Sequence, residues 1–366
     1  MRILHTESSC GWGGQEIRIL SEARGLRGRG HEVTLIACGS SRILEEASKA
    51  GVRAHALPIG RKSLAGVLAM RRWLKDHRAD IVNTHSSTDT WLTALACATL
   101  RDAPGIVRTR HISAAIPGDP ATRWLYRRAT RFVVTTGEAL REQLARDNRV
   151  PRERIASVPT GIDSDRYTPG DRLAARRALG LPETMTLIGI VATLRSWKGH
   201  LFLIDAVARL RREDVGLVIV GDGPMRAVLE ERLDATGIRN RSWMTGNQDD
   251  VLPWLRALDV FCLPSYANEG VPQALVQASL VGLPIVTTAV GAIGEVAVHE
   301  RTALLVLPRD VGELAAALAR LIDDPGLGAR LGIAARDWCR SRFAYETMLD
   351  RMEGIFRQVA AVRGSS

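Results

Sequence analysis

Arg195 and Lys198, in the run Arg195-Ser196-Trp197-Lys198-Gly199, are two cations with a glycine beside them, just past an apolar stretch from Leu187 to Ala192. That stretch predicts a buried strand, and open α/β sheets hold ligands at the carboxyl ends of their strands. Paired cations there suit neutralising a departing diphosphate; taken alone, a solvated loop with ordinary surface charges explains the five residues better. Gly221-Asp222-Gly223-Pro224 closes the next apolar run, Gly216 to Val220. Its glycines admit a flat base or ribose close to the backbone, with Pro224 suited to a first helical turn; an efficient strand-to-helix turn is an equal reading. Glu269 follows the run Val260 to Leu263, and Pro272 is placed to open a helix through Gln277 to Leu280. The turn around Gly270, Val271, Pro272 and Gln273 then offers backbone amides to sugar or phosphate oxygens. Glu269 also reads as a structural acid capping that helix.

Near the start of the chain, Gly11-Trp12-Gly13-Gly14-Gln15-Glu16 joins a predicted strand to a helix carrying Ile17, Leu20, Ala23 and Leu26, ended by Gly28 or Gly30. Glycines at a helix N-terminus accommodate an anion. The spacing is not Gly-x-Gly-x-x-Gly, so a dinucleotide fingerprint is unsupported, and a tight turn accounts for the loop by itself.

These groups need a scaffold that gathers strand ends, and the chain supplies its pattern. Short β-branched runs alternate with amphipathic segments throughout, which is the signature of β-α-β units and parallel sheets. Strands are expected at Arg2 to Thr6, Val33 to Ala37, Ile81 to Thr84, Ile106 to Thr109 and Phe132 to Thr136. A second set is expected at Thr186 to Thr193, Gly216 to Val220, Ser242 to Thr245, Val260 to Leu263 and Pro284 to Thr287. Between the sets, the proline- and glycine-bearing tract from Val158 to Gly170 reads as an interdomain linker. The expectation is therefore two doubly wound domains, 1–168 and 169–344, with helices at 311–322 and 327–342 and a last helix at about 345–362.

The 366 residues, 46% hydrophobic, suffice for two domains with their own cores. Five cysteines form no Cys-x-x-Cys pair, which suits a reducing compartment and argues against disulfides or a structural zinc. No signal-peptide pattern and no apolar run of the ~20 residues that span a bilayer is present, so a cytoplasmic protein, peripheral at the inner face of the membrane, is expected. The net charge of +10 is one-sided: residues 1–168 hold 27 Lys plus Arg against 17 Asp plus Glu, and the remainder 23 against 23. A phosphorylated acceptor, an anionic membrane or nucleic acid fits such a field, as does an Arg-rich composition without a partner. Nucleic acid is the weakest of these, because no recognition motif accompanies the charge. Arg61 to Lys75 and Arg123 to Arg128 mix cations with Trp, Leu and Met; they suit anionic headgroups, or else are helices whose apolar stripe faces their own sheet.

The segments Gly13-Gly14-Gln15-Glu16, Arg29-Gly30-His31-Glu32-Val33-Thr34, Val158 to Asp163, Gly221 to Pro224 and Glu269 onward occur in one order over nearly the full length. In that order and spacing the chain resembles family 4 of the retaining glycosyltransferases. The resemblance implies the GT-B fold, two facing Rossmann-like doubly wound parallel-sheet domains with a cleft between them. It implies that Arg195 and Lys198 bind the donor diphosphate, that Gly13 and Gly14 approach it from the N-terminal domain, and that Glu269 lies near the donor sugar. The family's Glu-x7-Glu motif departs here, since Gln277 stands where the ribose-gripping acid is usual. A carboxamide accepts a ribose hydroxyl more weakly than a carboxylate does. His111 matches the histidine that faces the donor sugar; His85, also at a strand end, is a second acceptor-side candidate with Gln15 and Glu16. The resemblance implies retention by same-face attack, with the departing phosphate taking the acceptor proton. Neither a metal nor a cofactor is then implied, and Asp163-Ser164-Asp165, the Asp-x-Asp of the chain, lies in the linker.

The expected activity is transfer of a sugar from a nucleoside-diphosphate sugar, UDP-linked by family habit, to a glycan or lipid-linked acceptor in polysaccharide or lipopolysaccharide synthesis. The rival readings are a nucleotide-sugar epimerase of the same fold and a catalytically impaired sugar-nucleotide or glycan-binding protein.

Overall fold

The computed structural model describes residues 1–111, 116–267 and 269–361. Its contacts divide the chain into two compact units, Met1–Thr160 with the segment from Glu346, and Gly161–Tyr345. The division falls at Thr160 rather than near Thr168, and the tract between goes with the second unit for local reasons. The Ile162 amide donates to the Phe343 carbonyl at 2.8 Å, and Arg256 donates to the carbonyl and hydroxyl of Thr168 at 3.0 and 3.1 Å. The helix Tyr345–Ala361 meets the first unit through Arg29, which pairs with Glu346, Asp350 and Glu353 at 2.6, 2.8 and 3.0 Å. Residue 362, the expected end of that helix, lies outside the described residues.

In the first unit β1 (Arg2–Glu7), β2 (Glu32–Ala37), β3 (Arg53–Ala56), β4 (Ile81–Thr84), β5 (Gly105–Arg110), β6 (Phe132–Thr135) and β7 (Ile155–Ser157) form a parallel sheet in the order β3-β2-β1-β4-β5-β6-β7. In the second, β8 (Thr186–Val191), β9 (Val215–Val220), β10 (Ser242–Gly246), β11 (Val260–Leu263), β12 (Ile285–Thr288) and β13 (Leu304–Val306) pair in parallel in the order β10-β9-β8-β11-β12-β13. Helices cover both faces, so strands such as Val-Gly-Leu-Val-Ile-Val of β9 are buried along their whole length. Two doubly wound α/β sheets are thus present, as the alternation of runs predicted.

Three strands escape the sequence reading. β3 is the half-exposed edge sequence Arg-Ala-His-Ala, and β7 and β13 have three residues each, too short to show a period. Each order reverses once, between β1 and β4 and between β8 and β11, and doubly wound sheets open a ligand crevice at that point.

The two basic-aromatic segments fold differently from one another. In the helix Leu64–Asp76, Gly66, Met70 and Leu74 are buried while Leu64 and Leu68 are exposed. Arg123 to Arg128 is not one amphipathic helix: a short helix, Pro120–Trp124, runs into a π-helical turn, Leu125–Ala129, that buries Leu125 and Tyr126. The Tyr126 hydroxyl accepts from Arg108 and Arg110, each at 3.0 Å, so its polar end is satisfied inside the unit.

Candidate functional site

In the second unit the loops after β8 and β11 meet, because those strands are neighbours across the reversal of order. Lys198 Nζ donates to both Glu269 oxygens at 2.7 and 2.9 Å, and Ser265 Oγ donates to Oε1 at 2.6 Å. The lysine side chain is 19% exposed and the carboxylate 5%. A pair this sheltered interacts far more strongly than a surface one, and removing one partner strands the other's charge. Glu269 is therefore committed to Lys198 and does not cap the following helix. That helix, Gln273–Val281, begins after Pro272 with no side-chain cap, so Pro272 precedes the helix rather than opening it.

The backbone holding Glu269 is built around Gly291, a residue the sequence reading passed over. Gly291 has φ +61°, and a Cβ there would sit 2.1 Å from the Glu269 carbonyl oxygen, which the Ala292 amide binds at 3.2 Å. The available signal was Gly291 itself, one of a pair of small residues in the loop after the buried β12.

Arg195 is exposed beside this pair, its guanidinium 5.8 Å from the Trp197 ring centre. The loop carrying it is laced to the turn after β9: the Leu194 amide donates to the Asp222 carbonyl at 3.0 Å, and Met225 returns a bond to Leu194 at 3.1 Å. Gly221 permits that approach, with φ +135° and an added Cβ only 2.1 Å from the Ala192 carbonyl oxygen. The Gly223 amide donates to the Asp222 carboxylate at 2.7 Å. Pro224 lies in a turn ahead of the helix Arg226–Ala235, not in its first turn. Gly270, Val271 and Pro272 are buried, and Gln273 is half-buried. Gln277 stands apart from the Lys198–Glu269 pair, its Nε2 donating to the Tyr167 hydroxyl at 3.0 Å.

In the first unit the residues of interest again gather at the carboxyl ends of β1, β4 and β5. Gly13 is in extended backbone and precedes the helix Gly14–Gly28. Gln15 donates its amide to Glu7, whose other oxygen accepts from the Ser9 amide at 2.6 Å. Glu7 is fully buried, and burial, then the nearby Asp89 charge, pushes its pKa up to about 8. Burial raises Glu16 as well.

His85 and His111 come together, and a third histidine completes them. His5 Nδ1 lies 2.9 Å from His85 Nε2, and His85 Nδ1 lies 2.9 Å from His111 Nε2. Burial holds all three below the ordinary imidazole range, His5 at about 3. His5 was missed; its signal was a histidine inside the apolar strand Ile3-Leu4-His5. Asp89 braces the group, accepting from Thr6 Oγ1 at 2.7 Å and the His85 amide at 3.0 Å. Ile112 and Ser113, which continue the segment read with His111, lie outside the described residues.

Known proteins resemble the chain in sequence and in architecture. Residues 12–166 match the model described as Glycosyltransferase Family 4, and residues 186–324 match Glycosyl transferases group 1. The 2-deoxystreptamine glucosyltransferase of Streptomyces kanamyceticus is 30% identical over 299 residues, covering 75% of each chain. A D-inositol 3-phosphate glycosyltransferase of Saccharomonospora viridis is 29% identical over 333 residues, covering 82% of this chain and 75% of that one. Among solved structures, Anabaena Alr3699/HepE in complex with UDP and glucose superposes with a TM-score of 0.86 at 20% identity, over 98% of this chain and 100% of that one. Sequence models, relatives and architecture agree that the chain belongs to glycosyltransferase family 4, a GT-B glycosyltransferase that uses a sugar nucleotide.

Proposed function

We propose that the protein is a retaining, metal-independent transferase that moves a hexose from a UDP-linked donor to a glycan or lipid-linked acceptor of cell-envelope polysaccharide or lipopolysaccharide. The observation that carries the donor side is Lys198 held on buried Glu269 beside exposed Arg195, at the strand ends where the order reverses. Arg195 and Lys198 neutralise the diphosphate as the glycosidic bond breaks, an electrostatic contribution that grows in the transition state. Glu269 fixes the ammonium and faces the donor sugar. Gly221 and Gly223, packed against the Ala192 and Leu194 backbone, set the turn against which the base and ribose lie, Gly270 to Gln273 present backbone to the sugar, and Gln277 accepts from a ribose hydroxyl. In the first unit, Gly13 and Gly14 approach the diphosphate, His111 orients a sugar oxygen, and Gln15 and Glu16 serve the acceptor side, while His85, buried with both ring nitrogens engaged, acts through His111. The departing phosphate takes the acceptor proton, so no side chain acts as a base.

The UDP and hexose assignments draw support from the UDP and glucose bound by the Anabaena protein. A membrane-side acceptor draws on the basic excess of residues 1–168 and on exposed Leu64 and Leu68 next to Arg61, Lys62 and Arg71. Among the described residues no helix is long and apolar enough to cross a membrane. A second acceptor reading, a small cyclitol, is favoured by relatives named for D-inositol 3-phosphate and 2-deoxystreptamine.

The test is a screen of UDP-, GDP- and ADP-sugars for thermal stabilisation and hydrolysis, with and without EDTA, on wild type and on Arg195→Ala with Lys198→Ala. Stabilisation and EDTA-resistant hydrolysis by one UDP-sugar in wild type alone supports the reading. A GDP- or ADP-sugar acting instead overturns the donor, EDTA sensitivity overturns metal independence, and an inverted product anomer overturns retention.

A further inference from the structure

A neutral imidazole carries one N–H and one lone pair, and a chain of three imidazoles therefore has only two ways to satisfy both of its links. In one, His5 Nδ1–H donates to His85 Nε2 and His85 Nδ1–H donates to His111 Nε2. In the other every proton runs the opposite way, from His111 through His85 to His5. Burial, first, and the Arg18 guanidinium hold His5 neutral; burial, then neighbouring positive charge, does the same for His85 and His111. No extra proton is therefore available to relax this choice.

The far end of the chain decides between the two. His5 is fully buried and its Nε2 has no hydrogen-bond partner among the described residues. Running the protons toward His5 would leave an N–H stranded there, whereas running them away leaves only a lone pair. Orphaned buried N–H groups are the rarer of the two, and a lone pair is favoured by the positive field of Arg18. Phe356 is the ring neighbour of His5, at 6.5 Å and 73°. At the other end, Arg108 and Arg110 favour a lone pair on His111. Those two side chains already donate to the Tyr126 hydroxyl, and Arg108 also to Ser86 and Thr90. The orphan at His5 therefore outweighs them. Among the described residues, no hydrogen bond engages the His111 Nδ1.

We propose that His5 and His85 are positioning residues that fix the tautomer of His111, so that its Nδ1 carries the proton and is offered as a hydrogen-bond donor to a substrate oxygen. His111 then stabilises oxygen and does not remove a proton, which accords with a reaction whose base is the departing phosphate. The role toward substrate rests on the transferase reading above; the tautomer itself does not.

Long-range proton–nitrogen correlation on the full-length wild-type protein with nitrogen-15 histidine reads the tautomer directly, with His111→Gln assigning the signal. The expected result is a protonated Nδ1 and a bare Nε2 on His111 at neutral pH; the reverse overturns the proposal. His85→Gln, which can both accept and donate, should retain that state. His85→Phe should release His111 to its other tautomer and lower kcat about tenfold, the scale of one lost hydrogen bond in the transition state, with a smaller change in KM. If His111 keeps the Nδ1 proton in folded His85→Phe, the relay does not set it and the proposal fails. Should no sugar nucleotide prove to be a donor, the transferase reading falls while the tautomer measurement still stands.

Discussion

The Gln277 carboxamide donates to the Tyr167 hydroxyl at 3.0 Å, which puts the residue replacing the second motif acid in contact with the tract that opens the second unit. The bond uses the amide side of Gln277, so its carbonyl is the group that would serve the proposed ribose contact. Tyr167 is buried, and burial raises its pKa, so the phenol stays protonated and can reverse its bond to donate to a carboxylate. Gln277→Glu is therefore expected to fold normally and to bind the nucleotide sugar about fivefold more tightly, the gain of a charge-assisted over a neutral hydrogen bond. Titration calorimetry measures it; a large loss of affinity would mean that the amide donor is needed.

Lys198→Ala should lower stability as well as donor affinity. It leaves the Glu269 carboxylate, 5% exposed, with Ser265 as its remaining side-chain partner among the described residues, a loss of about 3 kcal/mol or more. Adding Glu269→Gln should restore much of the denaturation midpoint without restoring donor binding. If the double variant is as unstable as the single one, the stranded charge is not the cause.

Above about pH 7, where the buried histidines are neutral in the folded and the unfolded chain alike, stability should fall as pH rises, and Glu7 is a reason. Burial pushes its pKa up to about 8 in the fold, against 4.5 for a solvated carboxyl, so the native state holds the proton more tightly than the unfolded chain. Its contribution is complete below about pH 4.5 and is lost as pH climbs to about 8. Glu7→Gln, with Gln15 turning its amide to match, should shrink the difference in denaturation midpoint between about pH 7 and about pH 8. An unchanged difference would assign the pH dependence elsewhere.

Gly291→Ala should damage the site without touching a charged group. The Cβ would meet the Glu269 carbonyl at 2.1 Å in a backbone conformation with φ +61°. Strain of this kind costs on the order of 1–3 kcal/mol, and its relief requires Glu269 to move. Weaker donor binding with near-normal circular dichroism is the expected outcome; wild-type affinity would show that Glu269 tolerates the shift.

The alternation of runs in the sequence specifies the class of fold and marks candidate donor-side residues. Apolar runs such as Leu187 to Ala192 alternate with helical segments, and both faces of a parallel sheet must be covered, so two doubly wound units were legible from the pattern alone. Arg195, Lys198 and Glu269 were legible because they follow such runs, where strand ends expose polar groups. Tertiary structure decided which of these groups meet. Strand order places β8 against β11, and that adjacency joins Lys198 to a carboxylate distant in sequence; no local spacing encodes it. The same holds for Gln277 with Tyr167, for Gly291 under Glu269, and for His5, which looks like a strand residue until β1 and β4 pair. It decided against the local pattern at Arg123 to Arg128, where Leu125 and Tyr126 turn inward because Arg108 and Arg110 supply the buried partners that the Tyr126 hydroxyl requires. Periodicity records which face of an element is buried, whereas hydrogen-bond partners depend on the order in which the elements are assembled.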